Sequence, residues 1–151
     1  ICGTLGLQVF TPAWGREPLG YWQELLAAGF KVMITKVACE GLGKEWLGRV
    51  VDQAALEQLA RLAQQYRFHL AFEGGEAESF VLDCPLFRKR VEVLEGKATW
   101  DGETGVYEIL RAALVGKDDD GGRGVHGEIA ADGLRVSTHP SHAVFLPCDR
   151  R

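Results

Sequence analysis

Residues 72–87 constrain what this chain can fold into more than any other segment. Two adjacent glycines stand there among three carboxylates, and an apolar stretch and a proline follow: Glu73, Gly74, Gly75, Glu76, Glu78 and Pro85. Paired glycines let the backbone bend tightly or pass close to a ligand. Carboxylates this close repel one another unless a cation, a hydrogen-bond donor or solvent compensates them. The segment therefore predicts a tight turn into a strand, and its acids form either a functional site or an ordinary solvated surface.

Hydrophobic spacing upstream of this segment predicts helices that alternate with strands. One helix is predicted to begin at Pro18 and to end before Gly29, which suits the left-handed position after a helix. A second helix is predicted over residues 53–66, with Asp52 as its N-cap. Extended segments predict strands over residues 5–11, 30–37 and 68–72, the last of which leads into the glycine turn.

The second half of the chain is predicted to be rich in strands. Strands are expected over residues 79–82 and 106–115, with a hairpin around residues 95–97 between them. Because strands and helices alternate first and several strands follow, we expect a mixed α/β fold, namely an α+β domain with a late antiparallel portion. Residues 117–124 are acidic and rich in glycine and predict a linker, and residues 128–136 predict a further hairpin.

Composition argues against several classes of function. A length of 151 residues suggests one domain with an appendage, and a hydrophobic content of 46% is enough for a core. The net charge of −4 argues against a general nucleic-acid binder, although residues 88–90 form a local basic patch. No apolar run approaches the ~18–20 residues of a membrane span. The four cysteines are scattered without a Cys-x-x-Cys pair, which favours reduced thiols in a cytoplasmic protein.

Three blocks of this sequence resemble the diphthine–ammonia ligase family, whose members are similar to PP-loop ATPases. Residues 72–79 resemble the family signature Gly-Glu-Gly-Gly-Glu-(Tyr/Phe)-Glu-(Thr/Ser), except that Phe72 replaces the first glycine and Ala77 the aromatic residue. Residues 81–90 resemble the Val-Leu-Asp-x-Pro-(Leu/Phe)-Phe-x-Lys-Arg segment that follows it. The other matches, in the order and spacing of the family, are Ala28-Gly29-Phe30, Glu40-Gly41-Leu42, Trp46-Leu47-Gly48-Arg49, Asp52 and Thr11-Pro12-Ala13-Trp14-Gly15.

The resemblance covers about residues 1–116 and implies how the chain is divided. The Ser-Gly-Gly-x-Asp-Ser nucleotide loop of the family does not occur here, so we expect this chain to be the C-terminal portion of a larger protein. Residues 1–13 would end the nucleotide-binding domain, and residues 14–116 would form the C-terminal substrate-recognition domain. Residues 117–151 would be a linker and a tail of unknown role.

The resemblance also implies an activity, which is ATP-dependent amidation. In the family reaction, the carboxylate of diphthine on translation elongation factor 2 is adenylated, and ammonia then displaces AMP. ATP is therefore the expected cofactor, with Mg²⁺ as a further candidate. Elongation factor 2 and ammonia are the expected partners, without a membrane and without direct contact to nucleic acid. The chain by itself is expected to have little or no activity.

Candidate site residues follow from the same matched blocks. Glu76 and Glu78 are the expected catalytic residues and should face the reaction cleft, while Phe80 and Leu82 face the core. Substrate or nucleotide binding is expected for Glu73, Gly74, Gly75, Ser79, Glu40 and Arg49. Diphthine carries a trimethylammonium group, which a wall of carboxylates and aromatic rings suits through charge and cation–π attraction. No dedicated metal site is expected.

Two other functions remain open from the sequence. One is a related enzyme that adenylates a small-molecule carboxylate instead of a protein. The other is a non-catalytic module that binds a nucleotide or a partner protein. ATP turnover by the complete gene product separates an enzyme from such a module, and the acceptor that is amidated separates the two enzymes.

Overall fold

The structure, a computed structural model, describes residues 1–11 and 13–117, and for residues 127–130 the course of the backbone. Within these residues the α-helices are α1 (Pro18–Ala27) and α2 (Gln53–Tyr66). The strands are β1 (Lys31–Val37), β2 (Ala77–Asp83), β3 (Lys89–Trp100), β4 (Gly105–Gly116) and β5 (Gly127–Ala130), and 3₁₀ turns lie at Gly3–Leu5 and Lys44–Trp46. This is the mixed α/β fold that the sequence predicts.

The five strands form one sheet in which every pair is antiparallel. Its order is β2-β1-β4-β3, and β5 lies beside β4. Strand β1 pairs along its length with β2, but it meets β4 only at its last two residues, Lys36 opposite Val106 and Val37 opposite Gly105. The antiparallel arrangement therefore extends over the whole sheet and not only over the late portion that the sequence predicts.

Both helices begin at a carboxylate that caps them. The Glu17 side chain accepts hydrogen bonds from the backbone N–H groups of Leu19 and Gly20, and the Asp52 side chain accepts from that of Ala55 at 2.7 Å. Such caps satisfy backbone donors that have no partner inside the helix. The N–H groups near Glu17 also lower the pKa of its carboxyl, that of Gly20 most strongly. The hydrogen bond from Ala55 confirms the predicted N-cap at Asp52.

The main core lies between the helices and one face of the sheet. Its largest fully buried side chains are Trp46, Ile34, Leu56, Leu59, Val37 and Val51. The indole N–H of Trp22, on α1, donates to the carbonyl of Leu70 at 3.0 Å, which ties the segment after α2 to α1. Burying an indole without a partner for its N–H would be unfavourable. The helices thus hold the segment that leads into residues 72–76.

Two strands that the sequence predicts are absent from the structure. Residues 7–11 have no regular secondary structure, and Leu7, Val9 and Phe10 are exposed. An extended segment forms a strand only where a neighbouring strand completes its backbone hydrogen bonds, and in the described part of the chain no strand pairs with residues 7–11. Residues 68–72 form no strand: a turn closes over residues 69–72, and Phe72 takes a left-handed backbone with φ +60° that an extended strand does not allow.

The predicted hairpin at residues 95–97 is also wrong. Strand β3 continues through them, with a shift of register against β4 on either side of Glu95. Gly96 lies directly against Tyr107. A Cβ atom at this position would be 2.3 Å from the Tyr107 hydroxyl oxygen, which leaves no room for a side chain. The chain reverses instead at residues 101–104, where the Asp101 carboxylate accepts from the backbone N–H groups of Glu103 and Thr104. Glycine therefore marks a close approach here and not a turn.

The C-terminal expectations fall mostly outside the described residues. The backbone of β5 begins one residue before the predicted 128–136 hairpin, but residues 131–136 are not described. The same is true of most of the predicted linker at 117–124. In the described portion, neither helix is long and apolar enough to cross a membrane.

Candidate functional site

Three loops meet at one end of the sheet. Val37 pairs with Ala77 on one side and with Gly105 on the other, so β1 ends where β2 and β4 begin. Trp100, the last residue of β3, also lies opposite Gly105. The loops that cluster at this end are residues 38–43, 72–76 and 101–104. They carry most of the acids that the sequence singles out.

Two consecutive turns, over residues 69–72 and 72–75, lead into and form the signature loop, residues 72–76. The backbone N–H of Phe72 donates to the carbonyl of His69 at 2.8 Å, and that of Gly75 donates to the carbonyl of Phe72 at 3.2 Å. Phe72 and Gly75 both have positive φ, +60° and +85°. Glycine adopts such angles without strain, whereas a bulky side chain does so only where its surroundings impose it. The ring of Phe72 packs edge-on against Trp22 at 6.2 Å between centroids and stacks on Phe68 at 6.4 Å.

Glu76 holds the signature loop together. Its carboxylate accepts from the backbone N–H of Gly74 at 2.8 Å and of His69 at 3.0 Å, while its carbonyl accepts from the N–H of Ala38 at 2.8 Å. A Cβ atom at Gly74 would lie 2.6 Å from the same carboxylate, so only glycine fits there without displacing it. Both carboxylate oxygens of Glu76 are thus engaged within the loop.

Glu78 and Ser79 point to opposite faces of β2, because side chains alternate along a strand. Glu78 is exposed and forms an ion pair with Lys36 at 2.8 Å. Ser79 is exposed on the face that carries the buried Ala77 and the core-packed Val81.

Phe80 and Leu82 consequently share the face of Glu78, so the expectation that they face the main core is wrong. The residue that faces the core between them is Val81. Strand β1, which pairs with β2 here, contains a bulge: Thr35 of β1 has no partner on β2. Glu76 and Glu78 therefore do not share one surface. The Glu76 carboxylate turns back into the loop, whereas the Glu78 carboxylate lies on the surface of the sheet.

Glu73 lies apart from these residues, in a cleft beside α1. It is exposed, and one carboxylate oxygen stands 3.9 Å from Nε2 of His69. We name this the Trp14 cleft, and it has a volume of about 430 Å³. The Arg16 guanidinium lies 5.2 Å from the centre of the Tyr21 ring and pairs with Glu24. The residues that line the cleft are Ala13, Trp14, Gly15, Arg16, Pro18, Tyr21, His69, Ala71 and Glu73.

Arg49 is half-buried and lies over the Trp46 ring, with 4.3 Å between the guanidinium carbon and the ring centre. Its carbonyl accepts from the N–H of Ile34 at 2.9 Å. The structure thus places Arg49 beside the core of the domain, where stacking on an indole holds a guanidinium in a defined position.

Glu40 lines a second cleft, which we name the Trp100 cleft. It has a volume of about 580 Å³ and is lined by Ala38, Cys39, Glu40, Gly41, Leu42, Gly43, Trp100, Gly102, Glu103 and Thr104. Burial and then the negative charge of Glu76 raise the pKa of the Cys39 thiol. Glu76 is therefore close enough to act on this cleft by its charge. Neither Trp100 nor Glu103 lies in a block that the sequence marks as functional, although Asp101-Gly102 between them is a turn signal.

The described residues contain no group of three or more His, Cys, Asp or Glu side chains placed to hold a metal ion. The candidate acids instead fall into three places: Glu73 in the Trp14 cleft, Glu76 and Glu78 at the start of β2, and Glu40 in the Trp100 cleft. The loop of Glu76 adjoins the Trp100 cleft through the hydrogen bond to Ala38.

Comparison with known proteins identifies the family. Residues 17–115 match the model of the diphthamide synthase C-terminal domain, and this chain belongs to that family. Diphthine–ammonia ligase of Homo sapiens is 38% identical over 94 residues, which make up 62% of this chain and 35% of that protein. The enzyme of the same name from Schizosaccharomyces pombe is 31% identical over 118 residues, 78% of this chain and 19% of that protein. The resemblance seen in the sequence is confirmed.

These relatives are considerably longer than this chain. The chain spans about a third of the human protein and about a fifth of the Schizosaccharomyces pombe protein. The matched residues include β1 to β3, β4 except its last residue, and both helices, with the signature loop and the Trp100 cleft among them. The comparison thus concerns the domain that carries the candidate site.

Proposed function

We propose that this chain is the C-terminal part of an ATP-dependent ligase that amidates diphthine on translation elongation factor 2. The observation that carries the proposal is the family match over residues 17–115, which contains the signature loop as a closely hydrogen-bonded unit. In the reaction, a carboxylate oxygen of diphthine attacks the α-phosphorus of ATP and releases pyrophosphate. Ammonia then attacks the carbonyl carbon of the acyl-adenylate and releases AMP and a proton. The proposed location is the cytoplasm.

The proposal assigns ATP to a part of the protein other than residues 14–116. Residues 1–13 then belong to the nucleotide-binding domain, as their exposed apolar side chains suggest. Leu7 and Val9 are 60% and 66% exposed, and Phe10 is 86% exposed. Apolar side chains clustered on a surface favour a covering partner, and the adjoining nucleotide-binding domain is the partner that we propose.

The signature residues have distinct roles in this proposal. Glu76 positions the loop, while Gly74 and Gly75 present backbone to the substrate. Glu78, exposed at the start of β2, contacts the reacting groups, where a preorganised charge acts on the transition state. Ser79 lies on the opposite face of the strand and is assigned to nucleotide binding. Mg²⁺, where it takes part, is bound with the phosphates of ATP and not by a dedicated protein site.

Three further residues complete the proposed site. Glu73 contributes from the Trp14 cleft and Glu40 from the Trp100 cleft. The guanidinium of Arg49 suits a carboxylate or phosphate group, and the Trp46 ring fixes its position.

The complete gene product that contains this chain provides the test. Purified protein is incubated with ATP, ammonium and elongation factor 2 that carries diphthine, and the amide is detected by mass spectrometry of the modified peptide. We expect AMP and amide in equal amounts. Amidation of small carboxylates alone would favour the first alternative function. Absence of any ATP turnover would favour a binding module.

A matched pair of variants tests the role of Glu78. We expect Glu78→Gln to lower the amidation rate about a hundredfold while the protein stays folded. Glu92→Gln, an exposed acid on β3, is the control and should retain the wild-type rate. Equal rates in both variants would remove Glu78 from the mechanism.

A further inference from the structure

We propose that the Trp100 cleft binds a quaternary ammonium group, and that in the ligase this group is the trimethylammonium of diphthine. The inference rests on the proposed function for the identity of the ligand. It places the cation site away from the three signature acids, in a cleft formed by the loop after β1 and the turn between β3 and β4. The cleft volume of about 580 Å³ lies in the range of small-ligand sites.

The charges of the cleft favour a cation. Glu40 and Glu103 are both exposed carboxylates on its wall, and its lining includes no Lys, Arg or His. Within the described residues, neither carboxylate forms an ion pair. Glu76 adjoins the cleft, because its carbonyl accepts from the N–H of Ala38 in the cleft wall, and its negative charge contributes to the raised pKa of the neighbouring Cys39 thiol. A cationic ligand would therefore meet attractive charges without displacing a basic side chain.

Trp100 provides the aromatic surface. Its indole is half-buried and packs against the main core, so its orientation is set by the fold. A Cβ atom at Gly105 would lie 2.6 Å from a carbon of the Trp100 ring, which shows how closely the ring crosses this glycine. An indole face is the strongest aromatic partner for a cation, and quaternary ammonium ligands are commonly bound in this way. Small divalent metals instead require several oxygen ligands in a shell.

The other carboxylates are less suited to the same group. Glu76 is occupied by two backbone N–H groups, and Glu78 is paired with Lys36. In the Trp14 cleft, the Arg16 guanidinium already lies over the Tyr21 ring. The Trp100 cleft is therefore the place in the described structure where free carboxylates and an indole meet without a competing cation.

Binding is tested on the 151-residue chain with two probes of nearly equal shape. Choline carries the trimethylammonium group, and 3,3-dimethylbutan-1-ol replaces it with a neutral tert-butyl group. We expect choline to shift the indole N–H signal of Trp100 in a ¹H–¹⁵N NMR titration, with a dissociation constant in the millimolar range. The neutral probe should bind at least tenfold more weakly, which is the scale of a cation–π contact assisted by charge. The exposed Trp14 indole serves as an internal control and should not shift.

Variants separate a specific site from general attraction. Glu40→Gln and Glu103→Gln should each weaken choline binding several-fold, and Glu92→Gln should not. Trp100→Phe keeps an aromatic ring and should bind choline more weakly than wild type, as read from the backbone amide signals of the cleft, while the rest of the amide spectrum shows that the fold is retained. Equal binding of both probes, or equal shifts of Trp14 and Trp100, would overturn the proposal.

The amidation assay distinguishes this inference from the proposed function. We expect Glu40→Gln and Glu103→Gln to raise KM for diphthine-bearing elongation factor 2 about tenfold with a smaller effect on kcat. An unchanged KM in an active ligase would overturn the cation site and leave the function standing. Choline binding by a protein without ligase activity would overturn the function and retain the cleft as a quaternary ammonium site.

Discussion

The signature loop and the Trp100 cleft lie side by side, yet they use their acids in opposite ways. In the loop, both oxygens of Glu76 accept hydrogen bonds from the backbone. In the cleft, Glu40 and Glu103 face solvent without an ion pair among the described residues. The difference indicates that of two neighbouring acidic regions one holds a structural carboxylate and the other holds available ones, and that hydrogen-bond partners distinguish the two. Substitution of the structural carboxylate should lower the stability of the fold, whereas substitution of an available carboxylate should weaken ligand binding.

The largest effect expected from this comparison is on Glu76. Glu76→Ala should lower the free energy of unfolding by about 2 kcal/mol, because backbone donors lose a charged acceptor. Glu40→Ala and Glu103→Ala should each change it by less than about 0.5 kcal/mol, as is usual at exposed positions. Urea unfolding of the three variants measures these values. Similar losses at all three positions would remove the distinction between loop and cleft.

A smaller effect is expected at Gly74, and it should depend on Glu76. Gly74→Ala places a methyl group against the Glu76 carboxylate and should destabilise the chain by about 1.5 kcal/mol. In a Glu76→Ala background, the same substitution should have almost no effect, because the obstructing group is gone. A double-mutant cycle in urea measures this coupling. Strict additivity would mean that the carboxylate does not limit the space at Gly74.

Phe72 tests whether the turn geometry of the loop is imposed by its surroundings. Phe72→Ala and Phe72→Gly both lose the ring contacts with Trp22 and Phe68. Only glycine adopts the positive φ without strain, so the glycine variant should be more stable than the alanine variant by about 1 kcal/mol. Thermal unfolding of the pair shows the order. An alanine variant that is the more stable one would contradict a left-handed backbone at this position.

The smallest expected effect is a response to acid in the cleft turn. The N–H of Thr104 and then that of Glu103 lower the pKa of the Asp101 carboxyl. Because the folded pKa is the lower one, Asp101 contributes stability above its unfolded pKa of about 3.9, and this is lost as the pH falls through the folded pKa. The Thr104 amide signal should therefore titrate with a midpoint below about pH 3.9. A midpoint at or above that value would mean that the turn is not held by Asp101.

The sequence predicts the helices better than it predicts the loops. The local spacing of apolar residues predicts both helices. The cap follows from the Asp52 side chain, which accepts from a backbone N–H three residues later in the chain. The left-handed Gly29 follows from glycine's own freedom. These features depend on residues close in sequence, so a pattern is enough to recognise them.

The features that the sequence does not predict depend on residues far apart in the chain. The left-handed backbone of Phe72 accompanies contacts with Trp22, and Gly96 accommodates Tyr107 and not a turn. The signature marks residues 72–79 as important, but it cannot show that Glu76 faces inward. The Trp100 cleft joins residues 38–43 to residues 100–104, which only the pairing of β1 with β4 brings together. The limits of the nucleotide-binding part and of the tail stay predictions.

Phe72 also makes the effects of substitutions around it depend on one another. Its backbone is left-handed, a conformation in which a bulky residue carries strain unless its surroundings impose it. Trp22 and Phe68 supply the ring contacts that accompany this conformation. The three aromatic residues therefore form an epistatic unit, in which the cost of changing one depends on the other two. Phe72→Gly should consequently destabilise a variant that already lacks the Trp22 ring less than it destabilises the wild type.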